Sequence, residues 1–241
     1  MPLLLLNWET AHCHGDFWIA HHRLRHRIFV ERNGWPVPTY GDLEYDQFDT
    51  PAARYLLWVG DERRVLGITR LIPTTERYMI EKLWPEMMER EPPKTPRIWE
   101  ASRFGCDRSV PAALRRRIIK ELICGCQDVG LNNGVEGYLC IMPLAILKNV
   151  IGKTGCTYRL VGPTRRIDGH PTAIAYIPVS EEILDRIRSD VGRDRSVIVP
   201  GNGFFDPLLP QITDYPILPV GTGPIQLKPS GSHLEGPSFS A

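Results

Sequence analysis

Apolar residues recur along the chain with two different spacings, and the first spacing predicts helices. Between positions 110 and 129 an apolar side chain returns every four residues, as on one face of an α-helix. These positions are Val110, Leu114, Ile118, Leu122 and Cys126. We expect Ser109 to cap the N-terminus of this helix. Further helices are predicted at 13–32, 78–90, 143–152 and 180–192.

The second spacing predicts strands. RYLLWVG (54–60) and RVLGITRLIP (64–73) flank Asp61-Glu62-Arg63, which is typical of a hairpin. Other strands are predicted at 97–104, 134–142, 156–162 and 166–178, the last as a strand or a hairpin. The Gly, Pro and Asp content of residues 33–50 predicts a loop. Helices and antiparallel strands in this order favour one α/β sandwich built on a mixed sheet.

The periodic pattern ends near residue 198. Residues 198–241 are rich in Pro and Gly, and we expect an extended or disordered C-terminal tail after a domain of residues 1–197. Phe204, Phe205 and Leu208 are candidates for docking on the domain.

Composition narrows the class of protein. The 29 basic and 28 acidic residues argue against nucleic-acid binding through bulk charge. The six cysteines form no CxxC pair and HExxH is absent, so we expect no metal site and buried thiols in a reducing compartment. MPLLLLNWE has no basic region or cleavage site, and no apolar run is long enough to cross a membrane, so we expect a cytoplasmic protein without membrane association.

Two predicted strands carry charges on otherwise apolar faces. By the two-residue alternation of a strand, Arg70 and Glu100 each point toward core. Their neighbours on these faces are Leu66, Ile68 and Ile72 in the first strand and Ile98, Ser102 and Phe104 in the second. Buried charges are costly unless paired or used, so the choice is between an Arg70–Glu100 ion pair and a functional site. Arg103 would join Glu100 only through a β-bulge.

These residues are part of a longer series of polar and aromatic positions. The series consists of R-x3-F-x5-W at Arg25, Phe29 and Trp35, E-x-D-x2-D at Glu44, Asp46 and Asp49, Arg70 within RLIPT, and E-x-S-R at Glu100, Ser102 and Arg103. Taken singly, each fits helix core, a loop cap or a solvated turn. In this order and spacing they resemble the acyl-homoserine-lactone synthases, the autoinducer synthase family of quorum-sensing bacteria, over residues from about 10 to 190.

The resemblance implies a fold and a reaction. The fold is similar to that of GNAT-type N-acetyltransferases, a three-layer sandwich with a mixed, mostly antiparallel sheet and a V-shaped cleft. The reaction joins an acyl group from acyl carrier protein or acyl-coenzyme A to the amine of S-adenosylmethionine. Lactone closure then releases 5′-methylthioadenosine. Both reactants are substrates, and no cofactor is expected.

The resemblance also implies roles for the residues of the series. Trp35 and Phe29 would face the sulfonium, Arg25 would pair with the substrate carboxylate, and Glu44, Asp46 and Asp49 would bind the substrate or hold the arginines. Glu100 would be the general base, directly or through one water. Arg70 and Arg103 would orient it, and Ser102 completes the predicted catalytic set.

The acyl donor needs its own pocket. The predicted lining residues are Phe104, Cys140, Met142, Leu144 and Leu147, although ordinary core is an alternative for each. An apolar residue at Met142 disfavours a 3-oxo acyl chain. Arg115, Arg116 and Lys148 are candidates for contact with the carrier or its phosphopantetheine, and a solvated basic face is equally consistent with them.

Two other functions remain open on these observations. A plain GNAT-type N-acetyltransferase would share the fold, but it usually carries Q/R-x-x-G-x-G/A before the long helix, where this chain has RFGCDRSVPAAL. A non-enzymatic binding module would not need Glu100 on an apolar strand face.

Overall fold

A mixed sheet of nine strands forms the centre of the part that this computed structural model describes, residues 3–192 and 198–200. In chain order the strands are β1 (Leu3–Asn7), β2 (Thr39–Tyr40), β3 (Leu43–Glu44), β4 (Arg54–Val59), β5 (Val65–Pro73), β6 (Ile98–Cys106), β7 (Gly137–Pro143), β8 (Arg159–Leu160), β9 (Arg165–Ile167), β10 (His170–Pro178) and β11 (Ile198–Pro200). The sheet order is β11-β1-β4-β5-β6-β7-β10-β8, with β9 also paired to β10. β2 and β3 form a separate small hairpin.

Helices cover both faces of this sheet. They are α1 (Trp8–Ala11), α2 (Gly15–Arg25), α3 (Met79–Leu83), α4 (Ala112–Asn132), α5 (Leu144–Ile146) and α6 (Glu181–Val191), with π-helical turns at His26–Arg32 and Leu147–Ile151. Apolar side chains of α2 and α3 pack on one face, and those of α4 and α6 pack on the other. The three-layer α/β sandwich is therefore confirmed.

The sheet opens between β6 and β7. Most neighbouring strands are antiparallel, but these two are parallel and pair only from Ile98 to Glu100 and from Gly137 to Leu139. Beyond that point β6 continues to Cys106 and β7 to Pro143. The two halves of the sheet separate directly after Glu100, which gives the V-shaped cleft expected of a GNAT-like fold.

Several local predictions are confirmed and one cap is wrong. The hairpin of β4 and β5 turns through Asp61–Arg63 as expected. The long helix begins at Ala112 rather than at 110, and its N-cap is Pro111. Ser109 is not the cap, because it lies two residues before Pro111, in a preceding turn where its backbone N–H donates to the Asp107 carboxylate.

Strand β1 was not predicted. The leucines of MPLLLLNWE form an inner strand between β11 and β4, with side chains in the cores on both faces. A strand buried on both faces lacks the apolar–polar alternation that marks a strand in the sequence.

Other elements are shorter than predicted. The helix expected at 78–90 ends at Leu83, and Pro85 starts a separate 3₁₀ turn. Only Arg159–Leu160 of the strand expected at 156–162 pair with β10. The segment 166–178 is a hairpin whose turn, Asp168-Gly169, has positive φ at both residues.

The predicted tail is described only at its start. Ile198–Pro200 form β11, parallel to β1 at the edge of the sheet. Phe204, Phe205 and Leu208 lie outside the described residues, and the boundary at residue 197 stays a prediction. Among the described residues, no helix combines the length and the apolar character needed to cross a membrane.

Two glycines let α4 lie close against the sheet. A methyl group at Gly67 in β5 would be 2.4 Å from Ile118 Cγ2, and one at Gly125 in α4 would be 2.5 Å from Leu3 Cδ1. Both distances are shorter than atoms tolerate, so at each position the glycine backbone lies directly against an apolar side chain of the other layer. This contact fixes the position of α4 and of the loop that precedes it.

We predict that Gly67→Ala lowers the free energy of unfolding by about 1–3 kcal/mol, because β-branched Ile118 has little room to move aside. Urea unfolding followed by circular dichroism measures the change. Gly15→Ala is the control, since nothing lies within 4 Å of that position, and it should stay within about 0.5 kcal/mol of the wild type. Equal midpoints for Gly67→Ala and the wild type would contradict the prediction.

Candidate active site

The helical segment before the first loop supplies a cation and two aromatic rings. Arg25 is the last residue of α2, and Phe29 lies one turn later in the π-helical turn. Trp35 stacks on Phe29 with ring centroids 5.0 Å apart and an interplanar angle of 17°. The N–H of Trp35 also donates to the carbonyl of Phe29. π-Helical turns are frequent at functional sites, and this one carries Phe29 to the end of β6.

The following loop places three carboxylates beside this segment. Glu44 ends β3, and Asp46 and Asp49 follow it. The Asp46 backbone N–H donates to Asp49 Oδ2 at 2.8 Å, and the Phe48 N–H donates to Asp46 Oδ1 at 2.8 Å. The loop is thus folded around its own carboxylates, and the predicted loop has a defined structure.

A β-bulge in β6 brings Ser102 and Arg103 to one face of the sheet. The register with β5 shifts between Ile68 and Arg70, and Arg103 has a φ of 52°. Arg103 therefore turns toward the α2 layer, where its guanidinium lies 5.4 Å from the Phe29 ring centroid. Phe104 packs in the α4 layer instead, so its predicted position on the face of Glu100 is wrong.

Leu66 also lies on the opposite face of the sheet from the face that was predicted for it. It packs with Trp58 and Ile118, whereas Ile68 and Ile72 pack in the α2 layer with Arg70. The cause is a register shift between Trp58 and Val59 in the pairing of β4 with β5.

Three arginines and three carboxylates form a buried ionic network, which consists of Arg25, Arg70, Arg103, Glu44, Asp46 and Asp49. Arg25 binds both oxygens of Asp49, at 2.7 and 2.8 Å, and its Nε lies 2.5 Å from Glu44. Arg70 Nη1 donates to Asp46 at 2.5 Å and to Asp49 at 3.0 Å. Arg103 Nη2 lies 2.9 Å from Glu44 and 2.6 Å from Asp46. The formal charges of the six groups cancel.

The arginines keep the aspartates ionised in spite of burial. Burial alone would raise the pKa of Asp49, but the hydrogen bonds and charge of Arg25, with the charge of Arg70, outweigh it and hold the pKa far below its ordinary value. Asp46 behaves in the same way, with Arg70 and Arg103 as the opposing cations. The network is therefore a fixed array of charges at neutral pH.

The three arginines differ in how many of their nitrogens already bind a carboxylate. Nε, Nη1 and Nη2 of Arg25 each already donate to a carboxylate. Arg70 Nη2 is buried and has no hydrogen-bond partner among the residues that the structure describes. Arg103 Nη1 has only the weak acceptor Met79 Sδ at 3.5 Å. The nitrogens that bind no carboxylate, and so can donate to a substrate, are thus on Arg70 and Arg103.

Glu100 lies outside this network. Its two oxygens accept from the backbone N–H groups of Met79 at 3.2 Å and Ile80 at 2.7 Å, in the first turn of α3. Of the two alternatives for Arg70 and Glu100, the mutual ion pair is wrong, because Arg70 pairs with Asp46 and Asp49 and its Nε donates to Ser102 Oγ at 3.1 Å. Burial raises the pKa of Glu100, although the two amides, the charge of Arg70 and a hydrogen bond from Ser102 oppose the shift.

A layer of aromatic rings also contacts the network, and it was not predicted from the sequence. Tyr55 donates through its hydroxyl to Asp49 Oδ1 at 2.7 Å and stacks on His21. His22 Nδ1 lies 2.8 Å from the Glu44 carbonyl, and its ring stacks on Tyr45 at 3.6 Å. Burial, helped by the charge of Arg25, lowers the pKa of His22 to about 4. The period of α2 could have indicated a buried His22, but not its partner.

The five predicted acyl-pocket residues share one apolar cluster in the α4 layer. Cys140 and Leu147 are buried there, and Phe104, Met142 and Leu144 pack around them partly exposed. Burial raises the pKa of the Cys140 thiol to about 12, and the nearby charge of Glu100 adds to the effect. The cluster and the ionic network are therefore on opposite faces of the sheet, with Glu100 close to both.

A family model described as autoinducer synthase matches residues 14–187 of this chain. The chain belongs to the autoinducer synthase family. The matched residues include the ionic network, Glu100 and the apolar cluster. Membership of this family decides against the two alternatives that the sequence left open, a plain N-acetyltransferase and a non-enzymatic binding module. The resemblance seen in the sequence is confirmed.

Relatives of the family agree in sequence and in structure. An acyl-homoserine-lactone synthase of Pseudomonas aeruginosa is 26% identical over 66% of this chain and 78% of its own. A solved CoA-dependent acyl-homoserine lactone synthase, BjaI with MTA, has a TM-score of 0.75 at 26% identity and covers 83% of this chain and 92% of its own. A putative N-acetyltransferase of Lactobacillus plantarum, at 14% identity and a TM-score of 0.50 over 75% of this chain and all of its own, shows the shared GNAT-like fold alone.

The predicted carrier contacts of this family member do not form one group. Arg115 Nη1 donates to the carbonyls of Arg108 and Val110 and so orders the loop before α4. Arg116 is exposed nearby, and Lys148 is exposed in the π-helical turn after α5. Within residues 3–192 and 198–200, no three His, Cys, Asp or Glu side chains are grouped to hold a metal ion.

We predict that His22 makes the fold sensitive to mild acid. Its folded pKa of about 4 is below the ordinary 6.5, so between these values only the unfolded chain takes up the proton. The contribution of His22 to the free energy of unfolding is fully present above pH 6.5. It falls by about 2 kcal/mol by pH 5. The groups around the His22 ring are His21, Arg25, Glu44, Tyr45 and Asp49.

Urea unfolding at pH 7.5 and 5.0 tests this. His22→Asn keeps a donor for the Glu44 carbonyl but does not titrate, so its loss of stability over this interval should be about 2 kcal/mol smaller than that of the wild type. His170→Asn, at an exposed histidine in β10, should leave the pH dependence unchanged. The same slope for His22→Asn and the wild type would refute the assignment.

Proposed function

We propose that this chain is an N-acyl-L-homoserine lactone synthase. It transfers an acyl group from the thioester of acyl carrier protein or coenzyme A to the amine of S-adenosylmethionine, and lactone closure releases 5′-methylthioadenosine. Family membership supports this reaction. The observation that carries it is Glu100, a buried carboxylate of raised pKa at the point where the sheet opens. BjaI, a relative, has been solved with SAM and isopentyl-CoA.

The ionic network and the rings before it are suited to a methionine-derived zwitterion. Arg70 Nη2 and Arg103 Nη1 have N–H groups to offer the substrate carboxylate, and a charge-assisted hydrogen bond is about twice as strong as a neutral one. Trp35, partly exposed and stacked on Phe29, is suited to face the sulfonium. In this proposal Arg25 is a positioning residue, because each of its three nitrogens already binds the carboxylate of Glu44 or Asp49.

Glu100 acts as the general base in the first step. It accepts a proton from the substrate ammonium, directly or through one water, and the neutral amine nitrogen attacks the thioester carbonyl. The C–N bond forms and the C–S bond breaks. The departing thiolate takes up the second proton that the nitrogen loses, and the proton on Glu100 passes to solvent. An α-ammonium has an ordinary pKa of about 8, so a carboxylate whose pKa is raised by burial is a suitable acceptor.

Lactone closure is the second step. An oxygen of the substrate carboxylate attacks the γ-carbon, the C–O bond forms and the bond to the sulfonium breaks. The leaving group is neutral 5′-methylthioadenosine. Because a sulfonium leaves readily, the protein has only to hold the carboxylate near the γ-carbon, and we assign that role to Arg70 and Arg103.

The remaining parts of the proposal concern the donor and the compartment. Phe104, Cys140, Met142, Leu144 and Leu147 receive the acyl chain on the α4 side of the cleft. Both reactants are substrates, and the two steps balance without a further cofactor. The thiols of Cys13, Cys106, Cys126, Cys140 and Cys156 are free, which supports a reducing compartment such as the cytoplasm.

The full chain incubated with S-adenosylmethionine and a panel of acyl-carrier-protein and acyl-coenzyme A thioesters tests the reaction. We expect methylthioadenosine and an extractable lactone in equal amounts with at least one donor. Methylthioadenosine formation that does not depend on any donor, or none at all, would overturn the proposed function.

We predict that Glu100→Gln lowers kcat by about 100-fold or more, while the affinity for S-adenosylmethionine changes less than about threefold, because a general base acts in the transition state. Steady-state kinetics and calorimetric binding measure the two effects. Glu121→Gln is the matched control: Glu121 is also buried and accepts from Trp58 at 2.6 Å, but it belongs to α4. A larger loss of binding than of turnover would show that Glu100 holds substrate instead.

We predict the opposite pattern for Trp35→Ala. Removal of the indole should weaken binding of S-adenosylmethionine about tenfold and lower kcat much less, since the sulfonium keeps its charge until the second step. Trp8→Ala is the control, because Trp8 is 59% exposed and follows β1. Unchanged binding in Trp35→Ala would remove the indole from the substrate site.

A further inference from the structure

A cluster of arginines surrounds the loop between β6 and α4, and the proposed chemistry does not use it. We define the loop cluster as Arg27, Arg32, Arg108, Arg115 and Arg116. Arg27 Nη2 pairs with Asp107 Oδ2 at 3.0 Å, and Arg32 Nη1 lies 3.5 Å from the Cys106 carbonyl. Both come from the π-helical turn, and Arg115 reaches the loop carbonyls from α4.

Positive charge is in excess at this place. The loop cluster faces one acidic side chain of the loop, Asp107, which already pairs with Arg27 and accepts from the Ser109 N–H. The whole chain carries a formal charge of only +1, so the excess is local. Partial burial and the charge of Arg108 lower the pKa of Arg32. Arg32 Nη1 lies 3.5 Å from the Cys106 carbonyl and Arg115 Nη1 donates to the Arg108 carbonyl at 3.2 Å, so both guanidinium groups lie against the same loop, and an anion bound there would offset their charge.

The loop cluster lies at the open end of the V-shaped cleft. Cys106 is six residues beyond Glu100 on β6, which is ~20 Å along an extended strand. The π-helical turn sits directly on this end of β6, since a methyl group at Gly105 would be 3.1 Å from Ile28 Cδ1. A donor whose thioester reaches Glu100 through the cleft would have the far end of its pantetheine arm here.

We propose that the loop cluster, with Arg32 and Arg108 at its centre, binds the phosphate groups of coenzyme A, so that acyl-coenzyme A is the donor. Guanidinium groups match phosphate oxygens in pairs, and coenzyme A brings a diphosphate and a 3′-phosphate to one place. A carrier protein brings a single phosphodiester, which does not account for five arginines around one loop. The proposal rests on the proposed function.

The arginines also account for the difference between this loop and the one usual in GNAT-type N-acetyltransferases. GNAT-type N-acetyltransferases usually hold the diphosphate with a glycine-rich loop before the long helix, and here that place reads RFGCDRSVPAAL. In this chain side chains replace backbone amides, and two of them come from a different element, the π-helical turn that also carries Phe29. The same turn thus reaches both predicted substrates.

Steady-state kinetics with paired donors tests the site. For the wild type, kcat/KM is measured with an acyl-coenzyme A and with the same acyl group on pantetheine, which has no nucleotide. In the double variant Arg32→Gln, Arg108→Gln the ratio of the two values should fall about 100-fold, at about tenfold for each lost charged contact. Arg97→Gln is the matched control, because Arg97 is an exposed arginine paired with Glu136 just before the opposite end of β6, and it should leave the ratio unchanged.

Calorimetry with coenzyme A, dephospho-coenzyme A and pantetheine gives a readout independent of turnover. We expect the wild type to bind coenzyme A most tightly, dephospho-coenzyme A less tightly and pantetheine least tightly. The double variant should bind all three with similar affinity. An unchanged ratio and unchanged affinity in the double variant would overturn the proposal. So would a loss confined to acyl-carrier-protein donors, which would assign the loop cluster to a carrier protein. Absence of methylthioadenosine from the wild type with any donor defeats the proposed function, whereas coenzyme A binding can still be measured.

Discussion

The site depends on the buried ion pairs between three arginines and three carboxylates. Arg25, Arg70 and Arg103 come from a helix and two different strands, and Glu44, Asp46 and Asp49 come from one loop. Removal of one partner from such a network leaves an unpaired buried charge, which costs about 3–5 kcal/mol. The network therefore forces the loop onto the sheet, and it fixes the floor of the cleft before any substrate arrives.

Because the six charges cancel, the network alone does not favour a cationic substrate. S-adenosylmethionine has a sulfonium, an ammonium and a carboxylate, a net charge of +1 when the amine is protonated. Glu100 stands apart from the network and holds its carboxylate on the amides of Met79 and Ile80. In the proposed function, it is the acceptor for the proton that the ammonium must lose, and that loss leaves the bound substrate without net charge. A further ion pair between Arg70 and Glu100 would have lowered the basicity of this carboxylate.

Sequence patterns predicted the strong elements and the chemistry-bearing residues, and they failed where tertiary contacts decide. The period of α4 and the β4–β5 hairpin are local signals, and charges on apolar strand faces identified Arg70 and Glu100. The partners were not predictable, because a bulge at Arg103 and a register shift at Val59 change which side chains share a face. His22 and Tyr55 were missed because an aromatic ring under an ionic network has the same pattern as ordinary core.

The bulge and the opening of the sheet act together. A regular β6 would pair with β7 along its length and would direct Arg103 away from Arg70. Instead, described pairing with β7 stops at Glu100, and the bulge three residues later turns Arg103 toward Glu44. The break gives access between the two faces of the sheet, and in the proposed function the bulge supplies the charge that anchors one substrate beside it. Acyl transfer requires two unlike molecules to meet at one atom, and a sheet that opens beside a buried base lets each approach from its own face.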